Sequence, residues 1–259
     1  MHKKEEYVLR KSIGNELVTL LEKHDCVLAG GAITSIFGGN HIKDYDIYFR
    51  KEKDLVALKE EFKWKDKNAK NNCYASTTKL LCKTDNAITY SIDNKTFQLI
   101  CLQELIRLDA RDIIDQFDFT VCMGAYVFSS KTFVFGDDFL KHLAQRSLVY
   151  NTRSKYPFAS LYRAVKYIKK GFRISGIEML KLGLKCNSVK INNFKDLRRQ
   201  LMGIDTLFLK DLTDKLGEPE MAEKEYDFEI FLEMMDEHLS KFEEFNMEDN
   251  NCMAREKQA

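Results

Sequence analysis

The sequence predicts an α+β protein: a head in which strands and helices alternate over residues 1–150, then an all-helical segment over 151–259. Three observations carry this. Before residue 150, short β-rich runs alternate with helical segments. After it, apolar residues recur at helical three- and four-residue spacing almost throughout. Only two prolines and twelve glycines interrupt the chain, with no Gly/Ser linker, so the boundary is read from that change of pattern.

In the first part, a helix is expected from about Glu5 to Lys23, then a strand CVLAG, a helix from Ala32, a strand DIYFR and a helix KEKDLVALKEEFK. Strand-like ITYSI, TFQLICL, FDFTVCMGAYVF and KTFVF follow. In the second part LYRAVKYIKKGF, GIEMLKLGLK, FKDLRRQLMGIDTLFLKDLTDKL and YDFEIFLEMMDEHLSKFEEF read as amphipathic helices. The polar MEDNNCMAREKQA at the end is expected to fray.

Composition narrows the function classes. At 259 residues, 44% hydrophobic, the chain can fill a real core. A formal charge of +1 gives no overall field for nucleic acid or membrane, so any nucleic-acid contact must be a local patch. No apolar run approaches the length of a membrane span or a secretory h-region, and the seven cysteines form no CxxC pair. A cytoplasmic protein without structural zinc is expected. The five histidines are too scattered for a zinc site or a triad, and no GxxxxGK loop occurs.

One stretch asks for chemistry. VLAGGAITSIFGGNHIKDYDIYF, from Val27 to Phe49, orders a strand, a glycine pair, a helix, and a second strand that begins Asp44-Tyr45-Asp46. Gly30 and Gly31 permit a tight turn and let a phosphate approach unshielded amides at the start of a helix. Period-2 alternation puts Asp44 and Asp46 on one face of their strand, roughly 7 Å apart. Two such carboxylates repel unless a divalent cation such as Mg²⁺ lies between them. Each half alone is commonly a turn or an exposed strand end; their combination points to nucleotidyl transfer.

The stretch resembles the signature of the nucleotidyltransferase superfamily, most closely that of class II tRNA CCA-adding enzymes and bacterial poly(A) polymerases, roughly GGxVRDxLLG, a loop, then DxD. Gly30, Gly31, Gly39, Asp44 and Asp46 match. Thr34 and Ser35 stand where the family has Arg-Asp. Later segments follow in the same order: NAITYSIDNKTFQLICL resembles the hairpin after the metal strand, FDFTVCMGAYVF the RRDFTINALAY segment, and YPFASLYRAVKYIKKGF the first neck helix. The collinear resemblance covers about residues 5–172.

The resemblance implies a polymerase-beta-like head, a mixed β-sheet flanked by helices, with an NTP substrate and one or two Mg²⁺ ions on Asp44 and Asp46. It implies phosphate contacts at Gly30, Gly31, Thr34 and Ser35, and nucleotide contacts at Asp118, Arg163 and Lys166. The acceptor it implies is RNA, as a 3′ end or a tRNA acceptor. Small atypical members of the superfamily are often carried by bacteriophages. Two departures bear on the chemistry. Gln98 stands where the family has its third carboxylate, and the neck has Lys155, Tyr156 and Ala159 or Ser160 in place of the acidic and arginine residues that read C and A. A standard CCA-adding enzyme is therefore not expected. Two alternatives remain: a catalytically degenerate nucleotide- or RNA-binding member, and a toxin or defence-type transferase acting on tRNA or protein.

Overall fold

The computed structural model describes residues 2–69, 78–84, 86–201 and 212–237. The chain divides into two compact units: residues 1–154 with 171–178, and residues 155–170 with the described residues from Met179 onward. Residues 171–178 return to the first unit because a short strand β9 (Arg173–Ile174) pairs in parallel with β8 (Ser147–Leu148).

The first unit is built on a seven-stranded mixed sheet, ordered β3-β4-β5-β2-β1-β6-β7. Its strands are β1 (Cys26–Ala29), β2 (Asp44–Phe49), β3 (Thr78–Lys83), β4 (Ala87–Ile92), β5 (Lys95–Ile100), β6 (Gly124–Val127) and β7 (Thr132–Phe135). β2 runs antiparallel to β1 and parallel to β5. The expected hairpin is β4–β5; Asp93 and Asn94 make its turn at φ 50° and 61°, a left-handed conformation that Asp and Asn tolerate well. The mixed sheet flanked by helices is the fold class expected from the sequence.

Several elements differ from the expected ones. The helix from Glu5 to Lys23 is two helices, α1 (Lys3–Ile13) and α2 (Asn15–Lys23), because Gly14 takes φ 98° and its N–H caps Arg10. FDFTVCMGAYVF is a strand only from Gly124. Its first half is held elsewhere, with Phe119 bridged to Tyr150 and the Thr120 N–H donating to Val149, and residues 120–122 turn as a short 3₁₀ segment. β3 carries no alternating apolar pattern, since five of its six residues are exposed, so no periodic signal announces it.

Cys26, Val27, Leu28 and Ala29 are all fully buried, so β1 lies at the centre of the sheet between two cores. On one face α2 packs on β1 above Leu28, Ile47 and Phe49. On the other, α5 (Ala110–Ile114) covers Val27, Ala29, Tyr48, Ala125 and Val127. α3 (Gly31–Phe37) packs on β2 and β6, and α4 (Glu52–Ala69) on β2 and β3. Gly124 permits the approach of α3, since a Cβ there would fall 2.7 Å from Ile33 Cγ2.

The second unit contains α7 (Pro157–Lys169), α8 (Gly176–Asn187) beyond its first turn, and α9 (Phe194–Gln200). Helix α6 (Phe139–Ala144) belongs to the first unit. Pro157 starts α7, where a missing N–H costs nothing. Ala159, Phe194, Leu197, Leu212, Leu216 and Met234 form the core. The long helices expected over 194–216 and 226–245 are helical at 194–200, 212–215 and 228–237; residues 202–211 and 238–245 lie outside the described residues. Among the described residues no helix is long and apolar enough to cross a membrane.

Candidate active site

The glycine pair ends β1 in a backbone that favours glycine. Gly30 has φ 82° and ψ −133°, its N–H donates to the Gly124 carbonyl at 2.9 Å, and α3 begins at the next residue. A Cβ built at Gly30 would stand 3.4 Å from the Phe117 ring and 4.0 Å from Asp46 Oδ2. The turn and the aspartate strand, sixteen positions apart from Gly30 to Asp46, thus meet in space. Gly31 is exposed with nothing within 4 Å of a Cβ there, so its backbone is open to a ligand.

β2 sorts its side chains by face. Tyr45 and Ile47 are buried, with Tyr45 stacked on Phe97 of β5 at a centroid distance of 4.6 Å. Burial pushes the Tyr45 hydroxyl above its ordinary pKa, partly offset by its side-chain hydrogen bond with Ser12. Asp44 is exposed and Asp46 half-buried on the opposite face. Parallel pairing sets Asp44 beside Thr96 and Asp46 beside Gln98. The residue expected to replace a third carboxylate is thus next to Asp46, where its side-chain amide offers a neutral oxygen. Among the described residues no group of three His, Cys, Asp or Glu is placed to hold a metal.

The donor set on this face is oxygen only: two carboxylates with Gln98 in register. Such a set fits a hard cation of the Mg²⁺ type, with water filling the other positions. Asp44 and Asp46 are the residues that would hold it.

Thr34, one of the expected phosphate contacts, turns its hydroxyl into the fold. It is 6% exposed, and its hydroxyl points onto the carbonyl oxygens of Val121 at 2.6 Å and Gly30 at 3.2 Å. Its one hydrogen is committed within the fold, fixing α3 to the segment before β6. Ser35 is half-buried on the same helix, and its carbonyl accepts from the Asn40 N–H at 2.8 Å.

Asp118 is 3% exposed, one residue beyond the ring that borders Gly30. Its carbonyl accepts from Asn151, whose side-chain amide donates to the carbonyls of Asp115 and Phe117, both at 2.8 Å. Asn151 thereby holds the turn that positions Phe117. In the second unit, Arg163 and Lys166 are both half-buried on one face of α7. Ala159 is fully buried in that unit's core, and the Ser160 hydroxyl donates to Tyr156 O at 3.0 Å, so neither offers an edge to a base.

Two residues of the site escaped sequence reasoning, Phe117 and Thr96. Thr96 was within reach, because period-2 alternation from Gln98 puts it on the same face. Phe117 gave no signal, because its nearness to Gly30 depends on a turn held by Asn151.

A profile of the Gabija anti-defense 2 family matches residues 1–146. A relative described as Gabija anti-defense 2, from Bacillus phage SPbetaL7, is 33% identical over 238 residues, which is 86% of this chain and 56% of the relative. The chain therefore spans little more than half the length of that relative. In structure it is similar to a tRNA-processing enzyme in an apo form, with TM-score 0.53 and 13% identity over 91% of this chain and 67% of that one. It is also similar to the Thermotoga maritima CCA-adding enzyme solved with tRNA, with TM-score 0.50 and 12% identity over 85% and 55% of the two chains. At such identity the likeness is one of fold, and it agrees with the resemblance read from the glycine pair and the DxD strand. The chain belongs to the Gabija anti-defense 2 family and is built on the fold of the CCA-adding nucleotidyltransferases.

Proposed function

We propose that the chain is a divalent-cation-dependent nucleotidyltransferase that moves a nucleoside monophosphate from an NTP to a hydroxyl of RNA, at a 3′ end or a tRNA acceptor, without CCA templating. The observation that carries this reading is the pair Asp44 and Asp46 on one face of β2, with Asp46 against the Gly30 turn. Mg²⁺ bound by these carboxylates would supply positive charge to the triphosphate oxygens.

The chain's own residues account for the rest. The exposed Gly31 backbone, with Ser35 on the following helix, lies where the phosphates are expected; Asp118, Arg163 and Lys166 are the further nucleotide contacts that the resemblance suggests. The acceptor oxygen attacks the α-phosphorus, a P–O bond forms, and the bond to the departing pyrophosphate breaks with its electron pair. The acceptor's proton goes to a carboxylate of the aspartate pair, since Gln98 in register with Asp46 cannot take one. Buried Ala159 and the internally bonded Ser160 support the absence of a CCA template.

The relative's description suggests that the transfer serves a phage against the Gabija defence. A bacterium carrying that defence, expressing either the wild-type chain or Asp44→Ala, tests whether protection of an infecting phage depends on the aspartate.

The direct test is pyrophosphate release from each NTP with Mg²⁺ and total RNA. Asp44→Ala and Asp46→Ala are each expected to lower it by roughly a hundredfold or more. A neutral Gln98 beside Asp46 favours a second reading, a member that binds nucleotide or RNA without turnover. Triphosphate binding with no pyrophosphate release from any NTP would establish that reading and sink the first.

A further inference from the structure

The face that carries the aspartates continues as a band of a different character. In-register pairing extends Asp44 to Thr96 on β5, Ser91 on β4 and Lys79 on β3. A parallel row runs from Asp46 through Gln98 and Thr89 to Cys82. Cross-strand partners share a face, so both rows lie on the side of the sheet that bears the carboxylates. The opposite side is apolar: Ile88, Tyr90, Ile92, Phe97 and Leu99 are buried, with Phe62 of α4 edge-on against Tyr90. Lys79 and Cys82 are exposed, and the four residues between them and the aspartates are half-buried.

We propose that this band is the track for the acceptor, the ribose-phosphate backbone of a single-stranded RNA 3′ end. The inference rests on the transferase reading above and names where its acceptor lies. Two features favour this occupant. First, in a chain that is 31% charged, the four central positions carry no charge and the single cation, Lys79, stands at the end far from the carboxylates. A polyanion entering over Lys79 crosses no carboxylate of the band itself until its terminal hydroxyl reaches Asp44 and Asp46. Second, the hydroxyls of Thr89, Ser91 and Thr96 and the amide of Gln98 both donate and accept. That matches a ribose 2′-hydroxyl, which does both, as well as phosphate oxygens, which only accept. Three interstrand spacings make the band about 14 Å wide, room for a short run of nucleotides.

Cys82 provides a test that needs no variant. It is exposed while Cys26, Cys101 and Cys122 are buried, so its alkylation reports cover over the far end of the band. With the full chain, a short single-stranded RNA is expected to slow Cys82 alkylation, read by peptide mass spectrometry, about tenfold at saturation, and the all-deoxy oligomer to do so weakly. Lys79→Glu should weaken RNA binding, read by fluorescence anisotropy, roughly tenfold and reduce its salt dependence by about one phosphate. Thr89→Val with Ser91→Ala should weaken it roughly three- to tenfold without changing the salt slope. Equal protection by DNA overturns the ribose part of the assignment.

Turnover with a polypeptide acceptor, with Cys82 alkylation indifferent to RNA, overturns the inference and leaves the transferase reading in place. RNA protection of Cys82 with no pyrophosphate release from any NTP removes the transferase and leaves the band as an RNA-binding surface.

Discussion

Gln98 is the in-register partner of Asp46 on the neighbouring parallel strand, so a neutral amide stands one interstrand spacing from a candidate metal-binding carboxylate. The pair sets the charge available to a cation. Gln98→Glu adds a third carboxylate on the same face and should tighten Mg²⁺ or Mn²⁺ binding roughly tenfold, read by isothermal titration. If the chain is a transferase, pyrophosphate release should rise with it. Unchanged affinity would place the cation elsewhere.

Gly30 combines a positive φ with close neighbours. Gly30→Ala forces a Cβ into a left-handed backbone conformation and to within 3.4 Å of Phe117. A loss of about 1–3 kcal/mol is expected in urea unfolding, together with weaker triphosphate binding. Gly31→Ala, where a Cβ meets nothing, should unfold close to wild type. The contrast between the two checks that backbone conformation, rather than loss of glycine as such, shapes the turn.

Thr34 separates stability from chemistry. Thr34→Val removes the hydrogen that Val121 O and Gly30 O share and leaves a buried carbonyl short of a donor, a loss of about 1–3 kcal/mol. Triphosphate affinity, measured at a temperature where the variant is folded, should not change. A large loss of affinity would restore Thr34 to the phosphate site.

An ion pair remote from the site predicts a pH effect. Arg10 Nη1 lies 2.6 Å from Glu22 Oε1, and that contact holds the Glu22 carboxyl below its ordinary range despite partial burial. A carboxyl lowered on folding adds stability above its unfolded pKa and loses it as pH falls through the folded one. Glu22→Gln should therefore lose about 0.5–1 kcal/mol near neutrality. The gap from wild type should close below about pH 4. Parallel stability curves across that range would contradict the assignment.

Much of the candidate site was legible because its signals are local. A strand, Gly30-Gly31, a helix and an alternating Asp44-Tyr45-Asp46 need only neighbours in sequence to be read, and Gln98 follows from the hairpin's own alternation. The internal bond of Thr34 was not legible, because hydrogen-bonding capacity is visible in a sequence while the partner, Val121 O, is eighty-seven residues away. β3 was invisible because as an exposed edge strand it has no apolar face to declare. The helix broken at Gly14 shows the converse: apolar periodicity persists across a glycine whose φ only the fold reveals.

The neighbouring strands β2 and β5 also bear on how such a chain changes over generations. Glutamine and glutamate codons differ by a single base, and position 98 is half-buried on a polar face where either side chain fits the same volume. One nucleotide exchange is therefore enough to add or remove a charge beside Asp46. A lineage can change the charge offered to a cation at that position and keep the rest of the sheet intact.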